Sequence, residues 1–359
     1  MVAGCGACGY FLLVTTRDAA LIHPARPVAT WHDVDAAIFA NEILPLGRPA
    51  VLKGVARDWP IVTAAAASPV QACEYLDRFY RGAPVDAFLG PHGIGGAFFY
   101  RDDMAGFNFE KRRMNLTEFL RYLLAEAAAE DPAALYIGAA AIPEVLPGLE
   151  AENRIGLLGS RDALPRIWIG NATTVATHFD MSDNIACVAA GRRRFTLFPP
   201  SALPDLYVGP LDHTMAGQPA SMVSLDSPDL ERFPRFARAL EVAQVAELEP
   251  GDAIYVPPLW WHHVRSEGPF NILVNHWWDE VPVRAGVPFE ALAHAILTIS
   301  ALPEQRRADW RVFFDHYAFR SNGDPAAHLP PEHRGILGAQ TPQLIARMKQ
   351  FLLRALSRG

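Results

Sequence analysis

The segment from Trp168 to Pro200, WIGNATTVATHFDMSDNIACVAAGRRRFTLFPP, constrains this chain more than any other. At its centre lies His178-Phe179-Asp180. Along an extended strand residues i and i+2 point to one face, so His178 and Asp180 project together and Phe179 points away. One imidazole and one carboxylate on a shared face are two parts of a 2-His-1-carboxylate set, which leaves positions open on a non-haem Fe(II). The third ligand must come from a later strand. Gly251 to Ser266, GDAIYVPPLWWHHVRS, offers His262 or His263. An HxD alone is a weak signal, and a downstream Pro-x-x-Trp-Trp-His makes the pair specific.

Around these motifs the chain reads as many short strands. Arg48–Val55 alternates like a strand, Leu135–Gly138 is a second, and Ile167–Ile169, Ala176–Asp180, Asn184–Ala189 and Arg193–Phe198 follow. Gly191 is expected at a hairpin turn, and Pro199-Pro200 stops the last strand because neither residue can donate to a ladder. Ala253–Val256 and Phe270–Trp278 complete the set. Helices are expected over Trp31–Ile43, from an N-cap at Ser68 followed by Pro69, from Thr117 to Ala129, and near Asp229–Leu240. Closely spaced turn signals between short strands point to a mainly β fold with added helices, a double-sheet jelly roll of the cupin kind. After residue 284 the pattern changes to three helices, Pro288–Ser300, Pro303–Tyr317 and Pro342–Leu356, without a catalytic constellation. The expected organisation is a poorly ordered leader at 1–28, a catalytic domain at 29–283, and a helical region at 284–359 suited to homodimerisation.

Composition narrows the function classes. A net charge of −7 argues against non-specific nucleic-acid binding, which depends on neutralising phosphates. Four cysteines in 359 residues are no disulfide framework, and the Cys5/Cys8 pair has no second pair to complete a zinc site. The apolar run Tyr10–Val14 is too short for a signal segment, and no stretch is long enough to span a membrane. The expected location is cytoplasmic.

With HFD at 178–180, GRRRFTLFPP at 191–200, GDAIYVP at 251–257 and LWWHHV followed by LVNHWW, the chain resembles the JmjC or cupin-like Fe(II)/2-oxoglutarate-dependent oxygenases. The group includes the asparaginyl hydroxylase acting on hypoxia-inducible factor. The resemblance covers roughly Arg48 to Trp278 and extends loosely to the C-terminal helices. It implies iron held by His178, Asp180 and His262, with His263 facing the opposite way. It implies 2-oxoglutarate as cosubstrate, its far carboxylate held by a cation two residues past Gly191 and by a phenol. The matching positions are Arg193, where the family has lysine, and Tyr136. Asn184 and Asn275 match amide positions near the cosubstrate. The family's threonine three residues before the first histidine is Val175 here, with Thr174 or Thr177 as substitutes. Strand alternation turns Arg193 inward, and Arg192 and Arg194 toward solvent or acidic neighbours.

The activity implied is hydroxylation of a protein side chain or small molecule with O2. The Asp180 carboxylate fills the position a halide would need, which favours hydroxylation over halogenation. Two alternatives stand beside it. One is a cupin metalloenzyme, a dioxygenase or isomerase, in which Arg193 binds a substrate acid. The other is a non-catalytic metal- or ligand-binding module.

Overall fold

A computed structural model of the protein describes residues 26–101, 103, 106–215, 217–279 and 286–357. The chain divides between residues 280 and 281 into two compact units. The expected leader lies mostly outside the described residues, as does the Cys5/Cys8 pair. Its last residues, Arg26–Pro27, pair with Gln244–Val245, and Val28 is buried.

The first unit is built on thirteen strands joined in one hydrogen-bonded network. In chain order they are β1 (Arg26–Pro27), β2 (Ala29–Trp31), β3 (Ala50–Leu52), β4 (Val85–Gly90), β5 (Ala97–Phe98) and β6 (Glu110–Met114). Then come β7 (Ala134–Ala141), β8 (Leu164–Gly170), β9 (Thr174–Phe179), β10 (Asp183–Phe198), β11 (Gln244–Leu248), β12 (Ala253–Val256) and β13 (Trp261–Trp278). Pairing is mostly antiparallel. β10 and β13 pair along their whole length. The other edge of β10 takes β12 at 184–187 and β11 at 193–197, while the other edge of β13 takes β8 at 271–277 and β9 at 261–265. Each long strand thereby joins two local sheets, as a jelly roll requires.

The hairpin expected at Gly191 is corrected by the structure: β10 runs unbroken through it. Gly191 has φ 73°, and the β10–β13 register slips between Val188 and Ala190 and again between Ala190 and Arg192, across the glycine. The glycine marks a bulge inside a long strand. In the same way the Trp-Trp-His segment and Phe270–Trp278 form one strand.

Helices differ from expectation mainly at their ends. Trp31 belongs to β2, and the helical segment starts at Ala36 behind Asp35, whose carboxylate accepts from the Ile38 N–H at 2.8 Å. Ser68 caps the helix Pro69–Asp77 as expected, accepting from the Gln71 N–H at 3.1 Å. A further helix, Pro60–Ala67, precedes it, and the run of alanines that forms it carries little amphipathic signal. The helix near 229–240 is confined to Phe236–Glu241.

Side-chain parity on β10 separates two cores. Ile185, Cys187 and Ala189 enter a large core shared with Ile61, Leu76 and Phe119 of the helices. Ala186, Val188, Phe195 and Leu197 enter an interior core with Ile254, Val256, Val264 and Leu273. The functional site opens from that interior.

The second unit contains the helices Pro288–Ile299, Glu304–Tyr317 and Pro342–Leu356. Its buried apolar residues among those described are Pro325, Ala326 and Leu344, whereas Leu297, Phe313, Phe351 and Leu353 are exposed. No helix among the described residues is long and apolar enough to cross a membrane.

Candidate metal centre

β9 delivers His178 from within the strand and Asp180 from the position just past its end. β13 delivers His262 from its second residue. The register places His262 directly opposite His178, and directly opposed residues of an antiparallel pair share a face. The two rings accordingly lie 4.3 Å apart between centroids. His262 Nε2 is 3.7 Å from Asp180 Oδ2, and one ligand atom from each of His178, Asp180 and His262 falls within 4.8 Å of the others.

Both rings are held by main-chain carbonyls. His178 Nδ1 lies 2.8 Å from the Ala176 oxygen, and His262 Nδ1 lies 3.0 Å from the Trp260 oxygen. A carbonyl oxygen can only accept, so each Nδ1 carries the proton and each Nε2 keeps its lone pair. Such outer contacts are the usual means of orienting metal-binding imidazoles. Burial, then repulsion from His178, pushes His262 down to about 4, against the pull of Asp180 and the Trp260 carbonyl. The ring is neutral at neutral pH, the state a metal needs. Two lone-pair nitrogens and one carboxylate on a common face fit a ferrous ion.

His263 is buried but has the opposite parity, alongside Trp261, which packs in a separate cluster with Phe198 and Phe236. Burial pushes it down to about 4, with Asp226 acting against that shift. This parity leaves His262, and not His263, on the face shared with His178.

Val175 and His178 are three residues apart yet share a face. His178 opposes His262 and Val175 opposes Val264, with a register shift between them. The extra residue of this bulge lets both point inward, and Val175 packs beside Trp168 and Tyr136. Thr177, next to His178, is buried; its carbonyl accepts from the Ser221 N–H at 2.7 Å, and its hydroxyl has no partner among the described residues. Thr174 opposes Arg265, on the other face.

Arg193 is 1% exposed and has the interior parity of Phe195 and Leu197. Its neighbours behave as the alternation predicts: Arg192 pairs with Glu249 and Arg194 with Glu247. Arg193 itself faces no carboxylate among the described residues, and its Nε has no hydrogen-bond partner. The guanidinium donates to the Tyr136 hydroxyl; burial lowers its pKa, and Tyr136 partly restores it. Burial in turn pushes the Tyr136 phenol up to about 12. A fully buried cation without a counter-charge carries a desolvation cost of about several kcal/mol. The same interior wall carries Asn275, which accepts from Trp168 Nε1 at 2.8 Å and donates to Asn184 Oδ1 at 3.3 Å. The sequence reading missed this indole link, although Trp168 and Asn275 both sit on strands of recognisable parity.

A jelly roll whose interior holds two histidines and one carboxylate able to hold a metal, beside a buried arginine without a counter-charge, has the make-up of a cupin. The chain belongs to the cupin-like domain family, which matches residues 35–284. It is similar to the lysine-specific demethylase JMJ31 of Arabidopsis thaliana, 37% identical over 113 residues that cover 31% of this chain and 20% of that protein. It is similar to the tRNA wybutosine-synthesizing protein 5 of Mus musculus, 32% identical over 146 residues, 36% of this chain and 43% of that protein. The human bifunctional peptidase and (3S)-lysyl hydroxylase JMJD7 is 27% identical over 263 residues, 65% of this chain and 77% of that protein. The chain thus spans less than half of the first two relatives.

Proposed function

We propose that the protein is an Fe(II)/2-oxoglutarate-dependent oxygenase that hydroxylates a protein side chain or small molecule. His178, Asp180 and His262 hold the iron. The chemistry supplied by a bound ferrous ion with 2-oxoglutarate and O2 is oxidative decarboxylation of the oxoacid coupled to hydroxylation of a C–H bond. The protein's own residues bind and orient. Arg193 and Tyr136 receive the far carboxylate of the cosubstrate, with Asn184, Asn275 and Thr177 around it. The observation that carries this reading is the buried Arg193, a cation whose missing counter-ion matches a dicarboxylate. Arg193 lies four residues along β10 from Leu197, which opposes His262, a separation of roughly 13 Å between backbones. A five-carbon diacid and an extended arginine side chain together bridge that span.

The relatives' names refer to lysine and to tRNA, and the net charge of −7 favours a protein or small-molecule substrate here. The exposed apolar helices of the second unit serve as a homodimer surface, and the buried thiols Cys73 and Cys187 suit a reducing cytoplasm.

The test is an anaerobic titration of Fe(II)-loaded protein with 2-oxoglutarate, following the visible metal-to-ligand charge-transfer band. The band should vanish in His178→Ala and weaken in Arg193→Ala. Iron uptake with no band, and no succinate after oxygen is admitted, would favour a cupin enzyme that uses its metal without the oxoacid.

A further inference from the structure

We propose that the turn Pro257-Pro258-Leu259-Trp260 is a positioning device for the iron ligands, with Leu259 as the positioning residue for Asp180. The proposal rests on the reading of the site as a metal centre.

The Trp260 N–H donates to the Pro257 oxygen at 3.3 Å and closes a four-residue turn between β12 and β13. Leu259 is its third residue and has φ 64°. A proline at the second position with positive φ at the third is the type II arrangement, whose third position is ordinarily glycine or asparagine. Leucine is strained there. Its side chain is 49% exposed, so core packing does not hold it in place.

The hydrogen bonds explain the conformation. Pro257 and Pro258 have no N–H, so the turn has two amide donors, those of Leu259 and Trp260. Trp260 closes the turn, and Leu259 donates to the main-chain oxygen of Asp180 at 2.8 Å. A type I turn differs from type II by about 150° in ψ of the second residue and about 170° in φ of the third, which together flip the central peptide. With that flip the Leu259 N–H would face away from Asp180. The left-handed leucine is therefore what this hydrogen bond requires.

Asp180 needs the tie. The β9–β13 ladder ends at the pair Phe179–Trp261, one residue short of it. The Leu259 amide extends the attachment by that residue and fixes where the carboxylate hangs. The next residue of the turn, Trp260, supplies the carbonyl that holds His262 Nδ1 at 3.0 Å. One turn thus addresses two of the three ligand residues, from two different strands.

The experiment uses the full-length, metal-free protein and Co(II) as the probe, reading affinity and the ligand-field spectrum. Three alterations are compared: Leu259→Gly, which tolerates the left-handed backbone; Leu259→Val, which does not; and replacement of the Pro258–Leu259 amide by an ester, which deletes only the N–H. Leu259→Gly should keep the parent spectrum and bind within about twofold, with an unchanged or higher Tm. Leu259→Val and the ester should bind about 10- to 100-fold more weakly, with an altered spectrum, as loss of an outer contact to a metal ligand does. If Leu259→Val does not fold, the ester and Leu259→Gly decide. Parent-like binding by the ester, or Leu259→Gly as weak as the ester, overturns the proposal. A parent that takes up no cobalt overturns the metal-centre reading and the proposal with it.

Discussion

Gly191 lies so close to Asn271 that a Cβ on the glycine would stand 2.0 Å from the asparagine side-chain oxygen and 2.9 Å from the Phe270 carbonyl. Asn271 is anchored in turn, donating to the Gly268 oxygen at 3.0 Å and the Asn171 oxygen at 3.3 Å. The bulge at Gly191 sets which β10 side chains face inward from that point on, Arg193 among them. Gly191→Ala should destabilise the protein by about 2–4 kcal/mol, from left-handed strain together with overpacking. Urea denaturation measures this. The variant should also lose 2-oxoglutarate affinity, because the altered backbone re-aims Arg193.

Arg193 without its ligand is a stability liability, and that makes it separable from an ordinary core residue. Replacing an uncompensated buried charge by an apolar side chain of similar length is neutral or stabilising by about 1–4 kcal/mol. Arg193→Met should therefore melt no lower than the parent in the absence of 2-oxoglutarate. Adding the oxoacid to metal-loaded protein should raise the Tm of the parent and leave that of Arg193→Met where it was. Arg193→Lys, shorter and without the planar fork, should respond weakly.

A pH dependence follows from His276, on the face of β13 opposite the metal centre. It sits in the edge of a T-shaped contact with Trp59, and its Nδ1 has no partner among the described residues. It lines a small internal cavity with Glu150 and Asn153. Burial lowers its pKa to about 4, whereas the unfolded value is about 6.5. The unfolded chain binds the extra proton between these values. Stability from this residue is thus fully present above about pH 6.5 and is lost as pH falls toward 4, by about 3 kcal/mol in all. In metal-free protein His262 and His263 act in the same direction. His276→Leu should remove one proton's share of the acid slope in urea midpoints measured from pH 7 to pH 4.

The site was legible in the sequence to the extent that period-2 alternation holds. His178 with Asp180 needs only that rule, and so does the opposition of Arg193 to Arg192 and Arg194, while the bulge at Gly191 decides which of these faces inward. Alternation could not locate Val175, because the β9 bulge between Val175 and His178 changes the parity by one. Bulges also made two strands of the sequence, before and after Gly191, into one of the structure. The choice of His262 over His263 depended on resemblance and was then explained by register. Leu259 was not legible at all: positive φ at leucine has no sequence signature, and the nearby prolines indicate only a turn.

The second unit's three helices bury one apolar residue among those described, Leu344, and cannot be stabilised by a core of their own. Leu297, Phe313, Phe351 and Leu353 are between 55% and 72% exposed, a pattern that belongs at an interface more than on a monomer's surface. On the helix Pro342–Leu356 a glutamate at Phe351 would bring an uncompensated charge into a dimer interface and do little to an isolated chain. Light scattering behind size exclusion should give twice the chain mass for the parent and the chain mass for Phe351→Glu. The iron–2-oxoglutarate charge-transfer band, arising from residues of the first unit alone, should persist in the monomer. A parent that runs as a monomer, or a Phe351→Glu variant that stays dimeric, would show that this face is not where two copies meet.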